Sequence, residues 1–309
     1  MIFMNMARMN TDTKKRYRGR FAPTPSGPLH FGSLVAALGS YLDARAAGGE
    51  WWVRIEDIDP PRCPQGAAEM ILRQLTAFGL EWDGEVIWQH QRAPAYEGAL
   101  DRLKELGLAY PCSCSRKQWR DHSIYPGWCR NGVRHAGAPC AWRLRSDLGE
   151  HPARFDDRLL GTLAFDPTAL GDVVLKRKDG LFAYQLAVVV DDAEQGMTDV
   201  VRGVDLLDNT PWQRQLQRAL GYPRPRYLHL PLMVSAAGQK LSKQNFAPML
   251  ADDARGVRRQ LFDALTALDQ APPAELAQGT PHEQLAWGIA HWSTARLATA
   301  PTRPAPQEV

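Results

Sequence analysis

The sequence predicts an α/β fold, a doubly wound parallel sheet carrying a small metal-binding insertion and ending in a short helical C-terminal part. Three observations carry this. Strand-like and helix-like segments alternate over the first ~110 residues, as when parallel strands are joined by helical crossovers. Between residues 111 and 151 that pattern gives way to Cys, Trp, Arg and Gly with little periodicity. The alternation then resumes and closes on two helical patterns, at 257–268 and 282–292. The expected organisation is an extension without regular structure (1–15), an α/β unit (16–110 and 152–247), the insertion (111–151), a helical part (248–296) and a Pro-rich tail without structure (297–309).

Residues 16–22 read as a strand, and the run from Pro23 to Pro28 must be a loop. Over 29–47, Leu34, Val35, Leu38, Tyr41 and Leu42 recur at helical spacing, stopped by Gly48-Gly49. Residues 51–59 are rich in β-branched and aromatic side chains and read as a strand ended by Pro60-Pro61. Residues 67–78 and 93–106 are amphipathic helices, and 172–176 is a strand. Within 182–191 the run Leu186-Ala187-Val188-Val189-Val190 reads as a buried central strand. Thr210-Pro211 opens a helix with Thr as N-cap and Pro at the first helical position, and Gly221 lies past its end. Residues 227–233 read as one further strand. No internal repeat is present.

Hydrophobic residues make up 44% and charged residues 23% of the 309, the composition of a soluble globular protein with one large domain and a satellite, or two domains. A net charge of +3 permits a nucleic-acid partner without demanding one. No stretch approaches the ~20 apolar residues that span a bilayer. The first ten residues lack the apolar run and cleavage site of a signal peptide, so the expected location is the cytoplasm, with no membrane partner and no obligate protein partner evident. Three of the five cysteines fall within 112–129, which suits metal binding better than a disulfide framework.

Two segments suggest nucleotide chemistry. In Pro25-Ser26-Gly27-Pro28-Leu29-His30-Phe31-Gly32-Ser33 a loop leaves a strand and feeds a helix. A helix N-terminus offers unpaired N–H groups and a positive dipole end to phosphate. Gly32 allows a flat base or sugar to approach, and His30 can donate to phosphate oxygens. Late in the chain, Lys240-Leu241-Ser242-Lys243 places two lysines on a loop, a clamp for the charge that develops on pyrophosphate.

Taken together these two segments resemble the paired signatures of class I aminoacyl-tRNA synthetases. The segments Arg54-Ile55-Glu56-Asp57-Ile58-Asp59-Pro60, Val201-Arg202-Gly203-Val204-Asp205-Leu206-Leu207 and Leu228-His229-Leu230-Pro231-Leu232 follow in order and resemble the glutamyl-tRNA synthetase family. The resemblance runs from about Arg20 to Lys243 and implies a Rossmann-like catalytic domain. One position departs: most relatives end the first motif with His, where this chain has Ser33. A hydroxyl bonds phosphate without carrying charge, so ATP contact there should be weaker. The variation suits the short branch that glutamylates queuosine in tRNA(Asp).

The resemblance implies glutamate and ATP with Mg²⁺ as substrates. Glutamate carries two carboxylates and an ammonium. Arg20 and Arg202 are the natural carboxylate partners, since guanidinium binds carboxylate in a fork. Glu56, at the carboxyl end of a strand, is the natural ammonium partner, with pairing to Arg54 as the alternative. By resemblance, the backbone of Arg20, Phe21, Ala22, Pro23 and Thr24, together with Tyr184, completes the pocket. His30, Gly32, Ser33, Lys240, Ser242 and Lys243 form the ATP and catalytic set, with Lys240 the weaker candidate.

Cys112, Cys114 and Cys129 suggest one structural zinc. Spacing leaves the fourth ligand open among His122, His135, Cys140 and Tyr125, and the resemblance points to Tyr125. A C-terminal part of about 65 residues, if compact, has a radius of gyration of only ~11 Å, too short to touch an anticodon while the acceptor end is in the active site. The resemblance implies that the anticodon loop itself enters the site, with queuosine-containing tRNA(Asp) as the partner.

Overall fold

The computed structural model describes residues 16–235, 237–241 and 248–306; the expected extension, 1–15, lies outside them. Strands β1 (Arg18–Phe21), β2 (Glu50–Ile55) and β3 (Ile87–Trp88) pair in parallel in that order, with helices α1 (Phe31–Ala46) and α2 (Ala67–Ala77) in the crossovers. Helix α3 (Ala93–Glu105) leads to β4 (Ala109–Cys112), which pairs antiparallel with β5 (Ala141–Leu144) at the base of the Cys-rich segment. A hairpin, β6 (Ala153–Asp157) and β7 (Gly161–Phe165), and one helical turn, α4 (Pro167–Leu170), precede β8 (Val174–Lys176), which joins β5. Then come α5 (Tyr184–Glu194), β9 (Asp199–Gly203), α6 (Thr210–Leu220), β10 (Arg226–Leu230), β11 (Leu232–Val234), α7 (Ala254–Ala267), α8 (Pro281–His291) and β12 (Thr302–Pro304).

Strands β9, β10 and β6 run parallel, and β7 makes the antiparallel edge. The sheet is therefore mixed rather than wholly parallel. At the β1 side, the Thr198 N–H donates to the Arg18 carbonyl and the Arg18 N–H to Thr198 Oγ1, both at 2.9 Å, which sets β9 beside β1.

Helix α1 is the centre of the larger core. Leu34, Leu38 and Leu42 are buried with Leu228 and Leu230 on one side and Leu261, Leu265 and Leu268 on another. Gly39 permits this approach, because a Cβ there would lie 2.7 Å from Leu230 Cδ1. The C-terminal helices thus share the core of the sheet. A second core joins Leu100 and Leu103 of α3, the apolar run of α5 and Leu216 of α6.

Several elements differ from the sequence expectation. The 186–190 run is helix α5, not a central strand. All five residues are buried, with α3 and α6 packed alongside. A helix enclosed by neighbours is apolar around most of its circumference, and a short apolar run reads the same in a buried helix as in a buried strand. Thr210 is the first helical residue and Asn209 takes the cap, because the Thr210 hydroxyl accepts a bond from Arg202 at 2.8 Å instead. The expected strand 227–233 is two, broken at Pro231, which has no N–H for a ladder. The second strand stops at Ile55, leaving Glu56 just beyond its carboxyl end. The tail is not unstructured: β12 pairs in parallel with β11, and Arg303 forms an ion pair with Asp269. Pro-rich composition carries no sign of an available strand edge elsewhere in the fold.

Leu265 is fully buried in the α1–α7–α8 contact, and a Cβ on Gly288 of α8 would meet both Leu265 and Leu42 at 3.0 Å. Leu265→Ala should therefore cost roughly 2–4 kcal/mol of stability, read as a lowered urea midpoint. A loss below about 1 kcal/mol would show that these helices lie outside the cooperative unit.

Candidate active site

Two adjoining cavities open at the carboxyl ends of β1, β2, β9 and β10, where open parallel sheets place ligands. Ala36 and Gly203 line both.

The first, about 190 Å³, is lined by His30, Gly32, Ser33, Asp205 and Lys240. His30 is the N-cap of α1, and its Nδ1 accepts the Ser33 N–H at 3.3 Å. No acidic side chain occupies the first turn of α1, so nothing there offsets its positive end. Gly32 is required first by its own helix: a Cβ would stand 3.2 Å from the His30 ring and 3.5 Å from Met233 Cβ. Lys240 is ion-paired with Asp205 across the same cavity. Ser242 and Lys243 lie outside the described residues.

The second, about 340 Å³, brings together Arg20, Phe21, Ala22, Thr24, Glu56, Tyr184 and Arg202. Pro23 is not part of the lining; its carbonyl accepts the Glu56 N–H at 3.0 Å and so fixes where Glu56 begins.

The arginines of this region differ in their partners. Arg20 forms a two-bond fork to Asp192 of α5, at 3.1 and 3.2 Å. Arg54, fully buried, reaches Asp192 at 2.9 Å and Glu56 at 3.2 Å, and donates to Gln195 Oε1 at 2.7 Å. Asp191 next door takes Gln89 at 2.7 Å, Arg92 at 2.5 Å and Tyr96 at 2.9 Å. Arg202 has no carboxylate within 4.0 Å among the described residues. Its donors go to His229 Nε2 at 3.1 Å, Gln213 Oε1 at 2.8 Å, Thr210 Oγ1 at 2.8 Å and Tyr184 Oη at 3.3 Å. Arg20 is thus already neutralised from within, whereas Arg202 keeps its charge. Burial raises the Glu56 pKa against the pull of Arg54 and Arg20. Glu56 is accordingly a carboxylate that a cation in the cavity would stabilise in its charged form.

The sequence matches the family "tRNA synthetases class I (E and Q), catalytic domain" over residues 16–125 and 129–266. The chain belongs to this family. Among its relatives, proteins named glutamyl-Q tRNA(Asp) synthetase from Thiobacillus denitrificans and Pseudomonas aeruginosa are 53% and 54% identical over 298 and 290 residues. Each alignment covers 93% of this chain, and 98% and 97% of the respective relative. A glutamate tRNA ligase structure from Elizabethkingia meningosepticum superposes with a TM-score of 0.81 at 23% identity, covering 95% of this chain and 68% of that one, which shows the shared fold. The protein is therefore a ligase of the aminoacyl-tRNA synthetase type, in the glutamyl-Q tRNA(Asp) synthetase branch.

Away from the cavities, this synthetase carries a group of thiols that could hold a metal ion. The sulfurs of Cys112, Cys114 and Cys129 all lie within 4.8 Å of one another and are buried. Tyr125 Oη is 3.2 Å from Cys112 Sγ and 3.6 Å from Cys114 Sγ. The other residues weighed as fourth ligand have different neighbours: Cys140 Sγ donates to the Ala138 carbonyl, the His135 ring meets Gln118, and His122 packs on Trp128. Burial raises the Cys129 thiol, but the Arg134 N–H and Tyr125 hydroxyl outweigh it, bringing its pKa to about 6, a value suited to thiolate ligation. Asp172 fastens this segment to the sheet by taking Arg130 at 2.7 Å on both oxygens, Ser146 Oγ at 2.6 Å and Tyr110 Oη at 2.5 Å.

Sequence reasoning passed over Asp192, Asp157, Thr210 and Gln213. Asp192 lies just past the run 182–191 that reads as a strand, and His229 belongs to a motif without a stated role. For Asp157 and Gln213 the sequence carries no local signal.

Asp157, Asp172 and Asp192 are held below the usual carboxylate range: burial pushes each up, and His229, Arg130, Arg20 and Arg54 more than reverse it. Folded-state values below the unfolded 3.8 mean that these groups stabilise the fold above that pH, and that the stabilisation is lost as pH falls through the folded values. The urea midpoint should begin to drop as the pH falls below about 5 and go on dropping through the folded values, and Asp192→Asn should flatten that drop. An equal slope in the variant would remove Asp192 from the acid response.

Proposed function

We propose that this synthetase activates L-glutamate with ATP to glutamyl-adenylate in the absence of tRNA, and then transfers the glutamate to queuosine at the wobble position of tRNA(Asp), in the cytoplasm. The observation that carries the amino-acid half is Arg202, a buried guanidinium bonded to the uncharged side chains of His229, Tyr184, Gln213 and Thr210, with Glu56 lining the same cavity. A buried cation without an anion is costly and favours a ligand that supplies one. Glutamate supplies a carboxylate for Arg202 and an ammonium for Glu56. Arg20, held by Asp192, contributes field and any remaining donor rather than a free fork.

In the first step the glutamate α-carboxylate attacks the α-phosphorus of ATP. A carboxyl-oxygen–phosphorus bond forms, and the bond to the bridging oxygen breaks as Mg-pyrophosphate leaves. The positive end of α1 with His30, and Lys243 of the Lys-Leu-Ser-Lys motif, meet the charge that develops on phosphate; Ser33 adds a neutral hydrogen bond. In the second step a nucleoside hydroxyl attacks the acyl carbon and AMP leaves. No side-chain nucleophile is needed, so the site works by positioning and charge. The names of the 53–54% identical relatives support queuosine in tRNA(Asp) as the acceptor.

The experiment has two arms. ATP–pyrophosphate exchange should run with glutamate alone, and exchange that appears only on adding tRNA would reject independent activation. With labelled glutamate, an anticodon stem-loop bearing queuosine should be labelled, and the same stem-loop bearing guanosine should not. Labelling of intact tRNA at its 3′ adenosine, with the stem-loop unlabelled, would make the enzyme a small glutamyl-tRNA synthetase instead.

We further propose that Cys112, Cys114, Cys129 and Tyr125 hold one structural zinc, whose role is to order the insertion. The 3.6 Å between the sulfurs of Cys114 and Cys129 suits two thiolates sharing a tetrahedral ion at ~2.3 Å. Elemental analysis should find one zinc per chain, lost on replacing any of the three cysteines by Ser. Zinc retained in Tyr125→Phe but lost in Cys140→Ser would move the fourth position to Cys140.

A further inference from the structure

We infer that Asp157 and His229 are positioning residues for Arg202, and that they set how strongly the site prefers a carboxylate over an amide. This rests on Arg202 reading a glutamate carboxylate, as proposed above.

The three residues stand on adjacent parallel strands, β6, β10 and β9, and His229 is the direct register partner of Arg202. All three are buried, with 4%, 1% and 5% of their surfaces exposed. The proton positions follow from chemistry. Arginine Nε can only donate, so His229 Nε2, 3.1 Å away, must accept with its lone pair. The ring proton therefore sits on Nδ1, which donates to Asp157 Oδ2 at 2.7 Å. Asp157 is fixed in turn: Oδ2 also accepts the His229 N–H at 3.2 Å, and Oδ1 accepts the N–H groups of Leu159 and Leu160, both at 3.0 Å. Thr210 fits the same scheme, since its oxygen takes Arg202 Nη2 at 2.8 Å while its hydroxyl lies 3.4 Å from His229 Nε2.

This arrangement meets two demands that conflict elsewhere in the site. Arg20 is held rigid by a carboxylate, which also cancels its charge. Arg202 is held at Nε by a neutral imidazole, with the anion displaced one residue further, onto Asp157. The guanidinium is immobilised and keeps its charge for the ligand. Losing the acceptor removes the bond at Nε and leaves the guanidinium held only through Nη1 and Nη2 by Tyr184, Gln213 and Thr210, so it is less firmly placed and the preference for a charged over a neutral ligand group falls.

The test compares wild type with His229→Leu, which removes both bonds, His229→Gln, which keeps a side-chain acceptor for Arg202, and Asp157→Asn. Exchange kinetics are measured with glutamate and with glutamine. In His229→Leu the KM for glutamate should rise roughly tenfold and the glutamate-over-glutamine ratio of kcat/KM should fall by a similar factor. The KM for ATP should stay within about twofold, and His229→Gln should recover most of the ratio. An unchanged ratio in His229→Leu and Asp157→Asn, with only a lower melting temperature, would overturn the proposal. Imidazole ¹⁵N spectra of the wild type decide it independently of folding in the variants. The neutral Nδ1–H form is expected at pH 7, and an Nε2–H or doubly protonated ring would overturn the relay. Absence of glutamate exchange in the wild type would sink the activity reading instead, while the spectra still report on the relay.

Discussion

Three arginines from neighbouring strands, Arg20 on β1, Arg54 on β2 and Arg202 on β9, are brought into one buried region, and the cost of burying their charge shapes much of what surrounds them. Asp191 and Asp192 answer two of them from the last turns of α5. For those carboxylates to arrive together, α5 must be a helix seated against α3 and α6, with its apolar run enclosed and its acidic end turned to the strands. Glu56 shares Arg54 and faces the cavity. The result is a pocket wall in which Arg20 and Arg54 have carboxylate partners and, among the described residues, Arg202 has none within 4.0 Å.

The cavity at the start of α1 relies on a different device. There the positive end of α1 is left without acidic residues in its first turn, His30 caps it through a ring nitrogen, and Gly32 makes room for that ring. The same helix has its other faces in the main core against β10 and the C-terminal helices, so the cap is held by a helix packed into the core. An anion site built on backbone dipoles needs this rigidity, since its donors cannot move to meet a ligand.

The Cys-rich segment is joined to the sheet by a third arrangement, in which Asp172 gathers Arg130, Ser146 and Tyr110 and so ties together chain lying before and after the cysteines. Its thiols face inward, around Tyr125. The insertion is attached through this carboxylate, through the β5–β8 pairing and through Leu144 in the second core, and its own small core gathers the three cysteines with Tyr110 and Tyr125.

Features written within a few consecutive residues were determined by the sequence alone. The loop feeding α1, the helices α1, α2, α3, α7 and α8, the Gly221 stop, and the grouping of Cys112, Cys114 and Cys129 each depend on local spacing or backbone preference, which a short window contains in full. The ordered segments that mark a class I synthetase for glutamate or glutamine were legible too, because each is itself a short run of residues. The tertiary structure decided the rest. It made the 186–190 run a helix and gave the tail a strand partner. It handed Arg20 to Asp192, 172 residues away, and left Arg202 to neutral partners. Such outcomes turn on burial and charge compensation between residues distant in the chain. An apolar run or an arginine looks the same in sequence whichever neighbour completes it, and only the packed fold supplies that neighbour.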